Sequence, residues 1–367
     1  MVGPENKLGS GVFIGPLYYY IVAVFYFITN MDPIAAGWLA GVSSIIGFFV
    51  LFLVTKKMFP TRVALIALYI NTLSFFSIEF ERVQWEVNFI PALSLLAFYF
   101  LYKILSGNEK SIVHLAIIFA LVFHTHLTTA VFIPIIILIT LPFFPKTKKT
   151  LQYLILSIPV VFLGLAPIVI YNIKTGNSQM TDSLGYANSS FHGIHLVRIK
   201  QLLTTAFIQL ESFFPFSISK PLSLLWLPAF FATYFLYTPT RKRLIIVALV
   251  ILWFIVPWIV LSTYNGEITH YYFSINRYIG LVAIAYVIYT ILKFKNKVVI
   301  SLIIVLACLY GYLGIHKFLT SRTTGLQNSR AYVKDVIKND KVIQFEQGNP
   351  FSYLYYFYKQ KNDHDLR

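Results

Sequence analysis

Charged side chains are what this sequence has least of: Asp, Glu, Lys and Arg make up 12% of its 367 residues, against 57% hydrophobic and 17% aromatic. A water-soluble domain of this size needs a far more polar surface, so the shortage excludes a soluble enzyme and leaves an all-α polytopic membrane protein. Cysteine is almost missing. The one thiol, Cys308, sits in the apolar run VVISLIIVLACLYGYLGIH, which excludes an intrachain disulfide framework and a Cys-rich metal site and leaves packing as its expected role. The opening MVGPENKLGSG lacks the basic start and apolar stretch of a cleavable signal peptide, so insertion is expected to rely on internal segments. Walker motifs, Gly-rich dinucleotide loops and nucleophile elbows are also missing, and with them the sequence support for ATP-driven transport, nucleotide cofactors and lipase-type hydrolysis. No cofactor is expected.

Acidic residues are scarcer than basic ones, 14 against 30, giving a formal net charge of +16. In a soluble chain that excess would point to nucleic acid. Here the bases fall in short clusters between apolar runs, which is the signature of membrane topology, and no nucleic-acid partner is expected.

A spanning helix needs about 20 mostly apolar residues. The candidates are 33–55, 63–80, 88–106, 112–128, 128–144, 151–171, 222–238, 244–263, 276–292 and 298–316, about ten in all, with 112–144 turning at HTHLTT. One set of alternating loops is short and basic: KKMFPTR (56–62), YKILSGNEK (102–110), PKTKK (145–149), TPTRKR (238–243) and KFKNK (293–297). By the positive-inside rule these lie in the cytoplasm. The other set, with most of the His and Glu residues, lies outside. Residues 12–30, containing GPLYYY, are too short and too poorly anchored for a span and read as an interfacial helix on the outer face, with a short first span as the alternative. LVRIKQLLTTAFIQLESFF (196–214) reads as an amphipathic helix along the membrane surface. Residues 1–316 are expected to form the membrane domain. The tail 317–367 reads as a small extracytoplasmic α/β appendage, with a helix in AYVKDVIKND and a strand in KVIQFEQGN.

Polar residues clustered at one end of a bundle point to function. In IEFERVQWEVNF, Glu79, Arg82 and Glu86 recur at three and four, so one helical face would present an acid, a base and an acid, or simply a salt-bridged helix end. His124 and His126 alternate across a turn; without a third ligand they do not make a zinc site, and a hydrogen bond from His126 to a polar substrate is the better reading. In GEITHYYFSINRY, His270 and Arg277 stand where a span re-enters the membrane. Arg277 is the loop's one base, suited to a phosphate or to anchoring a headgroup. No metal is expected.

GPLYYYIVAVFYFITNMDPIAAGWLAGVSSIIGFFVLFLVTKKMF resembles the start of the conserved region of GT-C glycosyltransferases of the protein O-mannosyltransferase and aminoarabinose-transferase type. Pro16, Leu17, Tyr18 and Tyr19 match the family's Pro-Pro-Leu-Tyr-Tyr segment, with Gly15 at the first proline. In FERVQWEVNFIPAL, Arg82, Trp85, Asn88 and Pro91 fit, with Glu86 in place of the usual first Asn. FHTHLTTAVFIP and HYYFSINRY are similar to the family's His-containing outer turns. The resemblance implies a GT-C-like bundle with outer-face juxtamembrane helices. It also implies transfer of a sugar from a polyprenyl-phosphate donor to a lipid, glycan or protein acceptor on the extracytoplasmic side, and the mixed aromatic and Ile/Lys-rich composition is compatible with a prokaryotic plasma membrane. Tyr18, Tyr19, Arg82, Glu86, His126, His270 and Arg277 are the expected substrate-binding residues. The family's acidic general base precedes the Pro-Leu-Tyr-Tyr segment, in a first outer loop that this sequence mostly lacks, so the catalytic acid is expected upstream of Met1. Only Glu5 precedes the segment here, a poor substitute, and the chain reads as truncated or divergent. A non-catalytic membrane subunit and a lipid-linked glycan flippase are the competing readings. The flippase is disfavoured because the spans hold few ionisable groups, His114 excepted.

Overall fold

The computed structural model describes residues 10–176, 178–191, 199–213, 226–237, 240–320, 325–338 and 357–358. The N-terminal stretch leads into α1 (Leu17–Ile28) and, through a turn in which Asn30 and Met31 take φ angles of 51° and 61°, into α2 (Ala35–Met58). Lys56 and Lys57 lie in the last turn of α2, where cations suit the negative end of the helix dipole. α3 (Thr61–Leu73) follows Pro60 and stops at Ser74. There the Ser74 hydroxyl accepts the Ser77 N–H at 3.1 Å and starts α4 (Phe75–Arg82), bent 69° from α3. A 3-10 turn (Glu86–Phe89) enters α5 (Ile90–Leu105) with Pro91 in its first turn. Then come α6 (Ser111–Val122), α7 (Leu127–Thr140), α8 (Lys148–Lys174), α9 (Ser178–Ser190), α10 (Ile199–Phe213), α11 (Trp226–Tyr237) and α12 (Thr240–Ser262). A 3-10 segment (His270–Asn276) precedes α13 (Arg277–Leu292), α14 (Lys297–Thr320) and α15 (Gly325–Lys338).

The chain is a helical, multi-pass membrane protein, but with fewer spans than the ten expected. Among the described residues six helices are long and apolar enough to cross a bilayer, or seven if the bent α3–α4 pair counts as one. Helices do form at each predicted place. However, α6 and α7 have 12 and 14 residues, about 18–21 Å at 1.5 Å per residue, against a hydrocarbon core of about 30 Å, and the described part of α11 has 12. The turn expected at HTHLTT does form, with His126 capping α7, but it divides the 112–144 run into two helices that are each too short to span. α1, at 12 residues, is also too short to cross.

Position in the bundle follows from the sequence. α13 is its axis: every residue from Arg277 to Tyr286 is buried, with α3, α5 and α11 packed around it. α8 and α14 lie at the periphery, with Leu163 and Val298 both 77% exposed, as apolar side chains facing lipid must be. Cys308 is exposed on α14 and so does not pack in the core as expected. One polar relay crosses the interior. The Trp253 indole N–H donates to Ser94 Oγ at 2.8 Å, and Ser94 donates to the Ile275 carbonyl at 2.6 Å, tying α12, α5 and the 3-10 segment before α13. The basic loops gather at one end: Thr147 bonds Glu109, the Lys242 ammonium donates to the Met58 carbonyl, and Arg62 shares a cleft with Lys293. The histidine-bearing turns gather at the other. The tail's predicted helix is present as α15; the predicted strand lies outside the described residues.

Candidate functional site

At the histidine-bearing end the α6–α7 turn, α9, the end of α12 and the segment before α13 enclose a cavity of about 220 Å³. Its wall is divided. His126, Thr128, Ser183, Tyr186, Tyr264 and Tyr272 supply polar atoms, while Val12, Leu127, Val131, Phe132, Val260 and Leu261 supply an apolar side. His126 reaches the wall because its other task fixes it. As the cap of α7 its Nδ1 accepts the Thr128 N–H at 3.3 Å and contacts the Thr128 hydroxyl at 2.9 Å, which leaves the proton on Nε2. Burial lowers its pKa to about 4, so the ring is neutral at physiological pH. Tyr271 and Tyr272 pack against it at 5.4 and 5.7 Å between ring centres. The Tyr264 phenol is pushed up first by burial and then by its hydrogen bond with Tyr186, so the Tyr264 hydroxyl stays protonated as a donor.

An aromatic chain leads from the cavity to Arg277. Tyr271 packs on Trp85 at 5.2 Å, Trp85 on Phe80 at 5.4 Å, and the Arg277 guanidinium lies 4.5 Å over the Phe80 ring. Trp85 is locked by its N–H to Asn88 Oδ1 at 2.8 Å, and the Asn88 amide donates to the Val83 carbonyl at 2.6 Å. Arg277 is 5% exposed and pairs with Glu81, 12% exposed, at 3.1 Å. Its Nε and Nη1 meet no protein acceptor among the described residues.

The acid, base and acid face expected from Glu79, Arg82 and Glu86 does not form. α4 ends at Arg82 and the chain runs extended before Glu86, so the three share no helix. Arg82 turns to the Phe318 ring on α14, 4.6 Å away. Glu86 instead lies beside α1, where burial first and then its carboxylate raise the Tyr18 phenol to about 12 and push the Tyr19 phenol up. Tyr18 packs on Phe89 at 6.4 Å while Tyr19 is exposed. His270 sits at the surface at the start of its 3-10 segment and is not in the cavity wall. His124, paired with His126 in the sequence, faces elsewhere: its Nε2 meets the Gly164 carbonyl at 2.8 Å and its Nδ1 presses on Gly15. The described residues start at Ser10, so Met1, upstream of which the catalytic acid was expected, and its substitute Glu5 both lie outside them.

Sequence reasoning missed Ser183, Tyr186 and Tyr264. The available signal was the recurrence of tyrosine in the loops of the histidine-bearing end. Asp182 stood among the polar residues of the outer loop after Ile173, but the catalytic carboxylate was expected before Met1 rather than in α9. Asp182 stands beside Ser183 and against Gly11, whose φ of +65° and lack of a Cβ let the backbone come that close.

Residues 14–171 match the family described as dolichyl-phosphate-mannose-protein mannosyltransferase. Among solved structures the chain is similar to ArnT from Cupriavidus metallidurans, crystallised with undecaprenyl phosphate. The two share 11% identity and superpose with a TM-score of 0.53 over 74% of this chain and 49% of that one. The chain thus spans about half the length of ArnT. No curated protein sequence matches it.

Proposed function

We propose that this chain, whose residues 14–171 match a mannosyltransferase family and whose fold is similar to that of ArnT, is a GT-C glycosyltransferase that transfers a sugar from a polyprenyl-phosphate donor to an acceptor at the extracytoplasmic face of a prokaryotic plasma membrane. The observation that carries this reading is the divided cavity. Its apolar side suits a prenyl chain and its tyrosine and histidine side suits a polar head, on which sugar rings stack and to which phenols donate. ArnT was solved with a ligand of that class.

Within this reading the residues take separate roles. Tyr186, Tyr264, Tyr272 and neutral His126 hold sugar hydroxyls. Tyr18 and Tyr19 line the entrance beside Glu86. Arg277 offers the phosphate its two unpaired N–H positions while Glu81 and Phe80 fix its plane. Transfer also requires a carboxylate to take the acceptor's proton as the sugar carbon moves from phosphate to acceptor oxygen. Asp182, one residue from the cavity wall, is the described acid best placed to do so, in the part that the family resemblance assigns to an acid upstream of Met1. Arg82 and His270 lie outside this arrangement.

The test is sugar transfer from a polyprenyl-phosphate hexose by the full chain in proteoliposomes, with Asp182→Asn and Tyr272→Phe. Loss of about two orders of magnitude in rate is expected for Asp182→Asn, the usual worth of a general base, and a smaller loss for Tyr272→Phe. Unchanged transfer by Asp182→Asn removes it as the base. Absence of transfer from every donor by wild-type protein favours the non-catalytic reading.

A further inference from the structure

A second cleft, of about 470 Å³, opens at the opposite, basic end of the bundle, where the first turns of α3 meet the last turn of α13. Arg62, Lys293 and Lys295 form its charged part and Leu65, Ile66 and Leu292 its apolar part. Among the described residues no carboxylate lines it. Lys293 is held with its ammonium 4.8 Å from the Tyr289 ring centre, and all three cations are exposed. Lys295 has a φ of 52°, in the left-handed region. That backbone is strained for an L residue and would be relaxed with glycine, so a lysine there adds a third cation against the local preference.

Other bases at this end are also held by rings or carbonyls. Lys56 and Lys57 lie over the Phe52 and Tyr99 rings, and Lys242 is tied to the Met58 carbonyl. In this cleft three cations share a cavity with an apolar wall. Helix ends carrying lysine and arginine lie at headgroup depth, and the leaflet they face is negatively charged.

We propose that the cleft between α3 and α13 binds an anionic glycerophospholipid, its phosphodiester held by Arg62, Lys293 and Lys295 and an acyl chain lying along Leu65, Ile66 and Leu292. The inference does not depend on the glycosyltransferase reading, because it concerns the other end of the molecule and a bulk lipid.

The experiment is native mass spectrometry of the purified full chain, titrated with phosphatidylglycerol, phosphatidylcholine or glycerol 3-phosphate. Wild-type protein should retain one phosphatidylglycerol, and Arg62→Ala/Lys293→Ala/Lys295→Ala should bind it at least tenfold more weakly. The charge-preserving set Arg62→Lys/Lys293→Arg/Lys295→Arg should keep most of the affinity. So should Lys146→Ala/Lys148→Ala/Lys149→Ala, which removes the same charge from another loop at the same end. Equal affinity in the first variant, or an equal loss in the last, overturns the site and leaves only diffuse surface attraction. Equal retention of phosphatidylcholine, or displacement by glycerol 3-phosphate at matched concentration, overturns the anionic lipid as occupant.

Discussion

Arg277 and Glu81 sit 3.1 Å apart and are both largely buried, and removing either leaves a buried charge without its partner. Arg277→Ala is therefore expected to destabilise the protein by about 3–5 kcal/mol, whereas Arg277→Met with Glu81→Leu recovers most of that loss. Thermal unfolding in detergent measures both, and a single variant as stable as wild type would contradict the pairing. Two unpaired guanidinium positions make the same residue a candidate for phosphate, so turnover alone cannot separate the two roles and the unfolding measurement must accompany it. Gly15 is constrained as tightly. Its N–H donates to the Phe123 carbonyl at 2.9 Å and its α-carbon leaves no room for a Cβ beside His124. Gly15→Ala should cost about 1–3 kcal/mol by overpacking, and His124→Ala in the same chain should recover part of it. His126 gives a pH dependence of known sign. Its folded pKa is lowered from 6.5 to about 4, so the folded state binds fewer protons than the unfolded one. Its contribution is complete above pH 6.5 and is lost as pH falls through 4, in total about 3 kcal/mol. His126→Gln should flatten that part of a stability curve measured between pH 4 and 7.

At the scale of elements, α10 shows what a sequence pattern carries and what it leaves open. Gln201, Thr205 and Gln209 recur every four residues, and an amphipathic helix along the membrane surface was the natural expectation. In the structure that polar stripe turns inward. Gln201 donates to the Tyr264 carbonyl at 3.1 Å and Gln209 to the Phe254 carbonyl at 2.9 Å, while Ile199, Leu203 and Phe207 are exposed. Periodicity gives the two faces of a helix but not which solvent each meets, and in lipid the usual assignment reverses. Nitroxides placed at Leu203 or Phe207 in a Cys308→Ser background should be more accessible to oxygen than to a water-soluble nickel chelate, and one at Thr205 to neither. The same limit explains the rest of the reading. The turns at Lys56, Lys103 and Lys293 were legible because charge and proline stop apolar runs. The break at Ser74 was not, because one hydroxyl decides it. His126 and Arg277 could be named from residue type and place in the loops. Their partners were not legible: Tyr186 could not be named, and Glu81, though part of the polar IEFERVQWEVNF cluster, could not be paired with Arg277, because α9 meets the α6–α7 turn, and α4 meets α13, only in three dimensions.

On the scale of the whole molecule, the two proposed ligand sites at opposite ends of one bundle make a joint prediction. α2 and α14, each 24 residues, run about 36 Å from end to end at 1.5 Å per residue, well beyond the roughly 10 Å within which substitutions usually couple. The cavity at the histidine-bearing end and the cleft at the basic end should therefore add their effects on stability. A ligand present at a hundred times its Kd stabilises the folded state by about 2.7 kcal/mol. Undecaprenyl phosphate and phosphatidylglycerol given together should then raise the unfolding temperature by the sum of their separate shifts. Tyr186→Ala with Tyr264→Ala should abolish the first shift and keep the second, and Arg62→Ala with Lys293→Ala and Lys295→Ala should do the reverse. The two lipids share a phosphate, so the decisive outcome is the cross term. If the variant at the basic end loses both shifts, the polyprenyl phosphate binds there by charge alone, and the cavity at the other end is not its site.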